Sequence, residues 1–280
     1  MTVAISVVIP VYNAARYLDR CIEGLLSQTL ARDQYEILMI DNNSTDGSDR
    51  IIEGFGGVRL LKEPEQGSYA ARNRGLREAS GGIVVFTDPD CVPETDWLEQ
   101  MQRALSEPGV GVVLGGRRFA TDTGALGMLS AYEEAIAARI FGTQSIRSYY
   151  GYTNNMAVRM SIVRELDGFE HRMRGADSIF LRRAVELHGP SILRYVPGAV
   201  VRHLEIESIR DYLEKKAVYG KVNHDPATAT PQPLPLAARL ELAMSARPSG
   251  GGSMAESMRF WGTLALGAAL FEWKRWKGNR

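Results

Sequence analysis

Cysteine is scarce in this chain, which has only Cys21 and Cys91 among its 280 residues. Two thiols so far apart exclude a disulfide framework and a cysteine-rich zinc site, and they suit a reducing compartment. Net charge is lacking as well. Thirty-three basic and thirty-three acidic side chains cancel, so no global field draws in nucleic acid, and the basic residues gather only at the extreme C-terminus. No apolar run approaches the ~20 residues of a membrane-spanning helix. Met1-Thr2-Val3-Ala4 lacks a basic leader, and the apolar stretch after it is broken by Pro10 and Asn13. No secretory signal is therefore expected, and the body of the protein is expected in the cytoplasm. What is present is a core: 45% of residues are hydrophobic and 24% charged, the balance of a globular protein.

The first hundred residues alternate between two periods. Ile5 to Val11 is a continuous β-branched run, the pattern of a strand buried on both faces. Tyr17, Leu18, Cys21, Ile22, Leu25 and Leu26 then recur at helical spacing. Strands follow at 37–40, 58–61 and 83–86, with helices between them, the first of which Ser44 is placed to cap. A further helix is marked by Trp97, Leu98, Met101 and Leu105. This alternation predicts an α/β fold, a mostly parallel Rossmann-like sheet flanked by helices. The later part predicts strands at 110–114, 156–158 and 192–201, the last being one strand or two around Pro197-Gly198. Helices are predicted at 125–141, 177–187 and 207–220. From Asp225 the composition turns to proline and glycine, around one short helical piece at 236–246. The expected division is a domain over 1–222, in halves of about 1–117 and 118–222, and a linker with a helical tail over 223–280.

In a parallel sheet the ligand site lies beyond the carboxyl ends of the strands. The polar residues cluster there: Tyr12-Asn13, Asp41, and Asp88-Pro89-Asp90. Carboxylates two apart at a strand end project to the same side, and with a diphosphate they can hold a hard divalent ion. A solvated acidic turn is the plainer reading of such a pair. Three other segments accompany it: Ser6-Val7-Val8-Ile9-Pro10-Val11-Tyr12-Asn13, Ile40-Asp41-Asn42-Asn43-Ser44-Thr45-Asp46-Gly47, and Gly67-Ser68-Tyr69-Ala70-Ala71-Arg72-Asn73-Arg74-Gly75.

In order and spacing these four motifs resemble the nucleotide-binding half of family 2 glycosyltransferases, which have the GT-A fold; the likeness runs over about residues 4–205. It implies a transferase that moves a sugar from a nucleotide diphosphate (UDP-, GDP- or dTDP-linked) to an acceptor hydroxyl. The reaction would be inverting, non-processive and dependent on Mn2+ or Mg2+. By the resemblance, Pro10, Tyr12 and Asp41 surround the base, with Asn13 and Asn43 in the same donor-binding loops. A tyrosine can stack on a base and a carboxylate can accept an imide N–H. Gly67 lets backbone approach the donor, and Arg72 either meets phosphate, orients the loop or pairs with a nearby carboxylate. Asp88 would reach the ribose and the metal, and Asp90 the metal. His203, behind the strand Ala199-Val200-Val201, is either a further metal ligand or a structural hydrogen-bonder.

Thr153-Asn154-Asn155-Met156-Ala157-Val158-Arg159 resembles the family's sugar and acceptor pocket, with Asn154, Asn155, Ala176 and Arg182 as candidates. Gly175-Ala176-Asp177 matches a motif usually written glycine, glutamate, aspartate, with Ala176 in place of the glutamate. The resemblance makes Asp177 the general base; the helix that follows would equally use it as an N-cap. A Gln-x-x-Arg-Trp motif and several spanning helices, features of processive members, do not appear. The acceptor stays open among a saccharide, a lipid-linked molecule and a small metabolite. Trp273 and Trp276 stand among Lys274, Arg275 and Lys277, so 258–277 reads either as a helix on the inner face of a membrane or as one packed on the domain or a second subunit. Two other functions remain on the table. One is a sugar nucleotidyltransferase, although Tyr12-Asn13-Ala14-Ala15 stands where its basic glycine-rich loop would be. The other is a non-catalytic sugar-nucleotide-binding module.

Overall fold

The structure, a computed structural model, describes residues 3–143, 145–172, 174–222, 231–246 and 252–278, without the side chains of 219–222, 275, 277 and 278. Much of the expected linker, 223–230 and 247–251, lies outside these residues. Strand β1 (Ile5–Val11) is buried along its whole length. It is flanked in parallel by β2 (Tyr35–Asp41) and β4 (Ile83–Thr87), so that Val7 lies between Ile37 and Val85. β3 (Arg59–Lys62) adds to the far side of β2, again parallel. Helix α1 (Ala15–Leu26) buries Leu18, Cys21, Ile22 and Leu25, one face at helical spacing. Helix α2 (Ser48–Glu53) follows β2. Helix α3 (Ser68–Glu78) lies close on the sheet because Gly75 permits it: a Cβ there would meet Val8 Cγ1 at 2.4 Å and Ile40 Cδ1 at 2.9 Å.

Beyond β4 come β5 (Cys91–Pro93), α4 (Trp97–Ser106), β6 (Val112–Phe119), α5 (Gly124–Gly142), β7 (Asn155–Arg159), α6 (Met160–Glu165), α7 (Ala176–His188) and β8 (Leu193–His203). The eight strands make one sheet in the order β3-β2-β1-β4-β7-β6-β8-β5. β7 runs antiparallel to both β4 and β6, so the first four strands carry the parallel character that the sequence predicts. β8 is a single strand through Pro197-Gly198, both exposed. Its neighbour β5 is only three residues long, and a proline costs no ladder bond where no strand pairs. β5 and α6 are too short to show a period, and the sequence predicts neither.

Helices α8 (Ile209–Val222), α9 (Leu236–Ser245) and α10 (Met254–Gly278) complete the chain. Packing divides the chain into two units: residues 1–116 with 150–202, and residues 117–149 with 203–280. The boundary expected from composition falls at 222/223, whereas contacts group α5 and α8 with the tail helices. The first unit is built on the β1–β4 core. The second has its own core of Leu129, Tyr132, Tyr212, Leu242 and Phe260, all buried. Within it Glu133 accepts from Tyr212 Oη at 2.8 Å and pairs with Lys216 Nζ at 2.6 Å. Burial pushes the Glu133 carboxyl up, but the Lys216 charge and these bonds carry it below the usual range.

Asn155 belongs to the first unit's core, a correction to the pocket role expected of it. It is fully buried, and every polar atom of its amide is used. Nδ2 donates to Gly116 O (2.6 Å) and Ala199 O (2.8 Å), and Oδ1 accepts from Trp97 Nε1 (2.8 Å). One side chain thus ties β7 to β6, β8 and α4, and none of it faces a ligand. Asn155→Ala removes three bonds and leaves their partners buried without them. It is expected to lower unfolding free energy by roughly 2–4 kcal/mol, read from urea melts at unchanged m-value. A loss below about 0.5 kcal/mol, the scale of a surface change, would overturn this assignment.

Candidate active site

The loops after β1 and β2 are joined by side chains. Asn13, at φ 49°, accepts the Thr45 N–H on Oδ1 at 2.8 Å and donates its own N–H to Ser44 Oγ at 3.1 Å. Ala14 N–H donates to Ser48 Oγ at 3.0 Å and Ala15 N–H to Asp46 Oδ2 at 2.9 Å. Burial pushes the Asp46 carboxyl up, yet its bonds from Ser48 and Ala15 outweigh this and hold it below the usual range. Asp41, the last residue of β2, is buried and accepts the Ser44 N–H on Oδ1 at 3.2 Å. Ser44 therefore bridges loops; α2 starts from Gly47 in a left-handed conformation, not from a Ser44 cap. Tyr12 stands out from this frame with 55% of its surface exposed, and Pro10 is buried behind it in β1.

The next loop is pinned from Asn42. Its Nδ2 donates to Glu63 O (2.8 Å) and Glu65 O (2.7 Å), and its Oδ1 accepts the Gly67 N–H (2.7 Å). Asn43, at φ 68°, donates to Pro64 O at 3.1 Å and to Gln66 Oε1 at 3.2 Å. The amides of Asn13 and Asn43 thus work first as loop bridges. Gly67 precedes α3 at φ 147°, a conformation strained for any residue with a Cβ.

Helix α3 carries the charged centre. Arg72 is 3% exposed, and its Nη2 pairs with Asp88 Oδ1 at 2.5 Å. Its guanidinium lies 5.4 Å from the Tyr69 ring centroid, and its buried Nε has no hydrogen-bond partner among the described residues. Asp177, in the first turn of α7, accepts hydrogen bonds from Tyr69, from the Ser178 N–H (2.8 Å) and from the Thr153 N–H. Burial raises its carboxyl above the usual range, and the Arg72 charge and these bonds oppose the rise only in part. Burial, followed by the charge of Asp177, also pushes the Tyr69 phenol up, so it stays protonated and can donate. Phe169 backs Tyr69 at 5.5 Å between ring centroids and touches Phe86 and Phe180 as well. Asn73 holds Phe169 in place, accepting its N–H at 3.0 Å and donating to its carbonyl at 2.8 Å.

The remaining expected residues have different surroundings. Asp88 is part-exposed at the end of β4, its Oδ1 committed to Arg72. Asp90 is half-buried, with Cys91 Sγ 3.6 Å from its Oδ1. The buried Oδ1 of Asn154 has no hydrogen-bond partner among the described residues. Ala176 is 1% exposed and offers a ligand no surface, a correction to its expected place in the pocket. The cap of α7 is Gly175, at φ 81°, so Asp177 is not the N-cap. Arg182 is half-buried five positions beyond Asp177, about 140° round the helix, and so leaves that residue's face. His203 closes β8 and belongs to the second unit, where Lys215 Nζ lies 3.5 Å from its Nε2.

Tyr69, Asn42, Asn73 and Asp46 were given no role by sequence reasoning, although all four stand inside the quoted motifs. A tyrosine three residues before Arg72 on a helix was the available signal, since such residues share a face.

The description Glycosyl transferase family 2 matches residues 6–167. Glycosyltransferase AglE of Haloferax volcanii is 34% identical over 188 residues, covering 65% of this chain and 61% of that protein. The chain therefore spans less than two thirds of that relative's length. Among solved structures, the mannosyltransferase PcManGT of Pyrobaculum calidifontis in complex with GDP-Man and Mn2+ aligns with a TM-score of 0.62 at 22% identity, covering 100% of this chain and 84% of that one. Glucosyl-3-phosphoglycerate synthase of Mycobacterium tuberculosis, with Mn2+, UDP-glucose and glycerol 3-phosphate, aligns at 0.57 and 19% identity over 82% of this chain and 81% of that one. With four motifs at the strand ends of a GT-A sheet and a family match over most of the first unit, the chain belongs to glycosyl transferase family 2.

Proposed function

We propose that this chain transfers a sugar from a nucleotide diphosphate to an acceptor hydroxyl in one inverting displacement aided by a divalent ion. The observation that carries the reading is the buried Arg72. It pairs with Asp88 of the acidic turn and acts on the carboxylate of Asp177, so the groups expected at the donor and acceptor ends meet at one cation. Exposed Tyr12 and buried Asp41, at adjacent strand ends, suit a nucleobase: a ring to stack on and a carboxylate to accept an imide N–H.

The residues also fit a hard cation. Asp90 and the Asp88 oxygen not bonded to Arg72 are carboxylate donors two positions apart at a strand end. A bound Mn2+ or Mg2+ would supply charge neutralisation at the departing diphosphate. Both structural neighbours described above contain Mn2+ with a nucleotide sugar, which supports the assignment. Asp177 takes the acceptor hydroxyl's proton while the oxygen bonds to the anomeric carbon and the bond to the diphosphate breaks. Its carboxyl, raised by burial, is a stronger base than an ordinary aspartate, and Tyr69 orients it. The unpartnered Asn154 Oδ1 suits a sugar or acceptor hydroxyl.

Asp90→Asn and Asp177→Asn are each expected to cut turnover by at least about a hundredfold with the circular dichroism spectrum intact. The assay is release of nucleoside diphosphate from a donor; undiminished turnover in both variants would sink the proposal, and released pyrophosphate would point to nucleotidyl transfer. A second outcome concerns pH. The base must be ionised and its carboxyl is raised, so kcat/KM should fall on the acid side with a midpoint above that of an ordinary aspartate. The Tyr69 bond lowers that value, so Tyr69→Phe should move the acid limb to higher pH; a limb unmoved or shifted down contradicts the role of Tyr69. The third measurement is thermal. Among UDP-, GDP- and dTDP-sugars, one donor is expected to raise Tm, and to raise it further with Mn2+ than without. Equal Tm with and without metal for every donor would count against the ion.

A further inference from the structure

Large apolar side chains are exposed unevenly among the described residues. In the first unit only Tyr12 and Leu187 are so exposed; the others all lie in the second unit, most of them on α9 and α10. α10 is 25 residues long and buries one side within that unit through Phe260 and Thr263. Gly267 brings α10 close to α8, where a Cβ would touch Leu213 and Tyr212 at 3.6 Å. At about 100° per residue, the exposed Met254, Met258, Trp261, Leu266, Trp273 and Trp276 all fall within an arc of roughly 140° on the opposite side. That outward arc holds little that is polar: Arg259 stands at its edge and Glu272 is its acid. An apolar stripe of this width on a solvated helix marks a contact surface.

Charge indicates what contacts it. From Met254 onward the sequence has five basic residues, Arg259, Lys274, Arg275, Lys277 and Arg280, against Glu256 and Glu272. Lys274 Nζ lies 4.7 Å from the Trp273 ring, so tryptophan and cation stand side by side. A second copy of the chain would have to neutralise these cations from its own surface, and the outward arc offers it one carboxylate. An anionic lipid surface meets both needs, taking up the apolar stripe and pairing the cations with headgroups. No helix among the described residues is long and apolar enough to cross a membrane, so the contact is one of lying on the surface.

We infer that α10 is an interfacial helix that docks the second unit on anionic lipid through its Met254-to-Trp276 stripe, with Lys274 beside Trp273 as a headgroup cation. The test uses the full chain, pelleted with vesicles of phosphatidylcholine with and without phosphatidylglycerol, and light scattering without lipid. Binding is expected only with phosphatidylglycerol. Trp273→Ser with Trp276→Ser should weaken it about tenfold or more, and Lys274→Glu should weaken it as well, with thermal melts unchanged. Binding to phosphatidylglycerol vesicles no stronger than to phosphatidylcholine, or unaltered in these variants, would overturn the inference. A lipid-free dimer that the double tryptophan substitution dissociates would overturn it too, assigning the stripe to a second copy.

Discussion

A guanidinium almost wholly removed from water is the constraint around which the first unit's chemistry is arranged. An unpaired charge at the depth of Arg72 would cost several kcal/mol, so it has to be answered by carboxylates. Asp88 answers directly, at 2.5 Å, and Asp177 through its field. These two acids lie far apart in sequence and share one cation, carried by α3, which Gly75 lets lie close on β1 and β2. Charge compensation needed for stability and the gathering of the groups proposed for transfer are the same arrangement. Arg72 therefore has little freedom to be replaced by lysine, whose point charge cannot hold one carboxylate and influence another in a fixed plane.

The polar groups outside that cluster do a different job. Asn13, Asn42 and Asn43 spend their amides on neighbouring backbone, closing the loops after β1, β2 and β3 into one frame. Loops held this way keep their shape in advance, so less ordering entropy would oppose binding of the proposed donor. Tyr12 is the exception: it alone of the expected nucleotide residues is large, apolar and exposed, and that exposure is what a stacking platform needs. Asn73, Phe169 and Tyr69 form a second support, running from α3 to the carboxylate of Asp177.

Much of the fold was legible because its signals are local. The buried run Ile5–Val11 and the helical spacing of Leu18, Cys21, Ile22 and Leu25 announce their partners by period alone. β5 and α6 are shorter than any period, and the antiparallel entry of β7 between β4 and β6 depends on pairing between distant segments. The candidate site divides in the same way. Asp88, Asp90 and Asp177 are candidates by motif and strand end. Asn154 and Asn155 are adjacent and chemically identical, and no local rule says which faces in. Alternation along β7 turns Asn155 into the core, where Trp97, Gly116 and Ala199 use it up, and leaves Asn154 Oδ1 without a hydrogen-bond partner among the described residues.

By itself the sequence determined the strand–helix alternation, the four motifs and their order, and the balance of charge, since each of these is written in neighbouring residues. Tertiary structure alone decided that Arg72 would serve two carboxylates, that Tyr69 would hold the proposed base, and that Ala176 would be closed off. It also decided that α10 would turn one face inward and leave its tryptophans outside. The reason is common to all of them. Burial and pairing are properties of three-dimensional neighbours, and the free energy of a charge or a tryptophan depends on which neighbours exclude water from it.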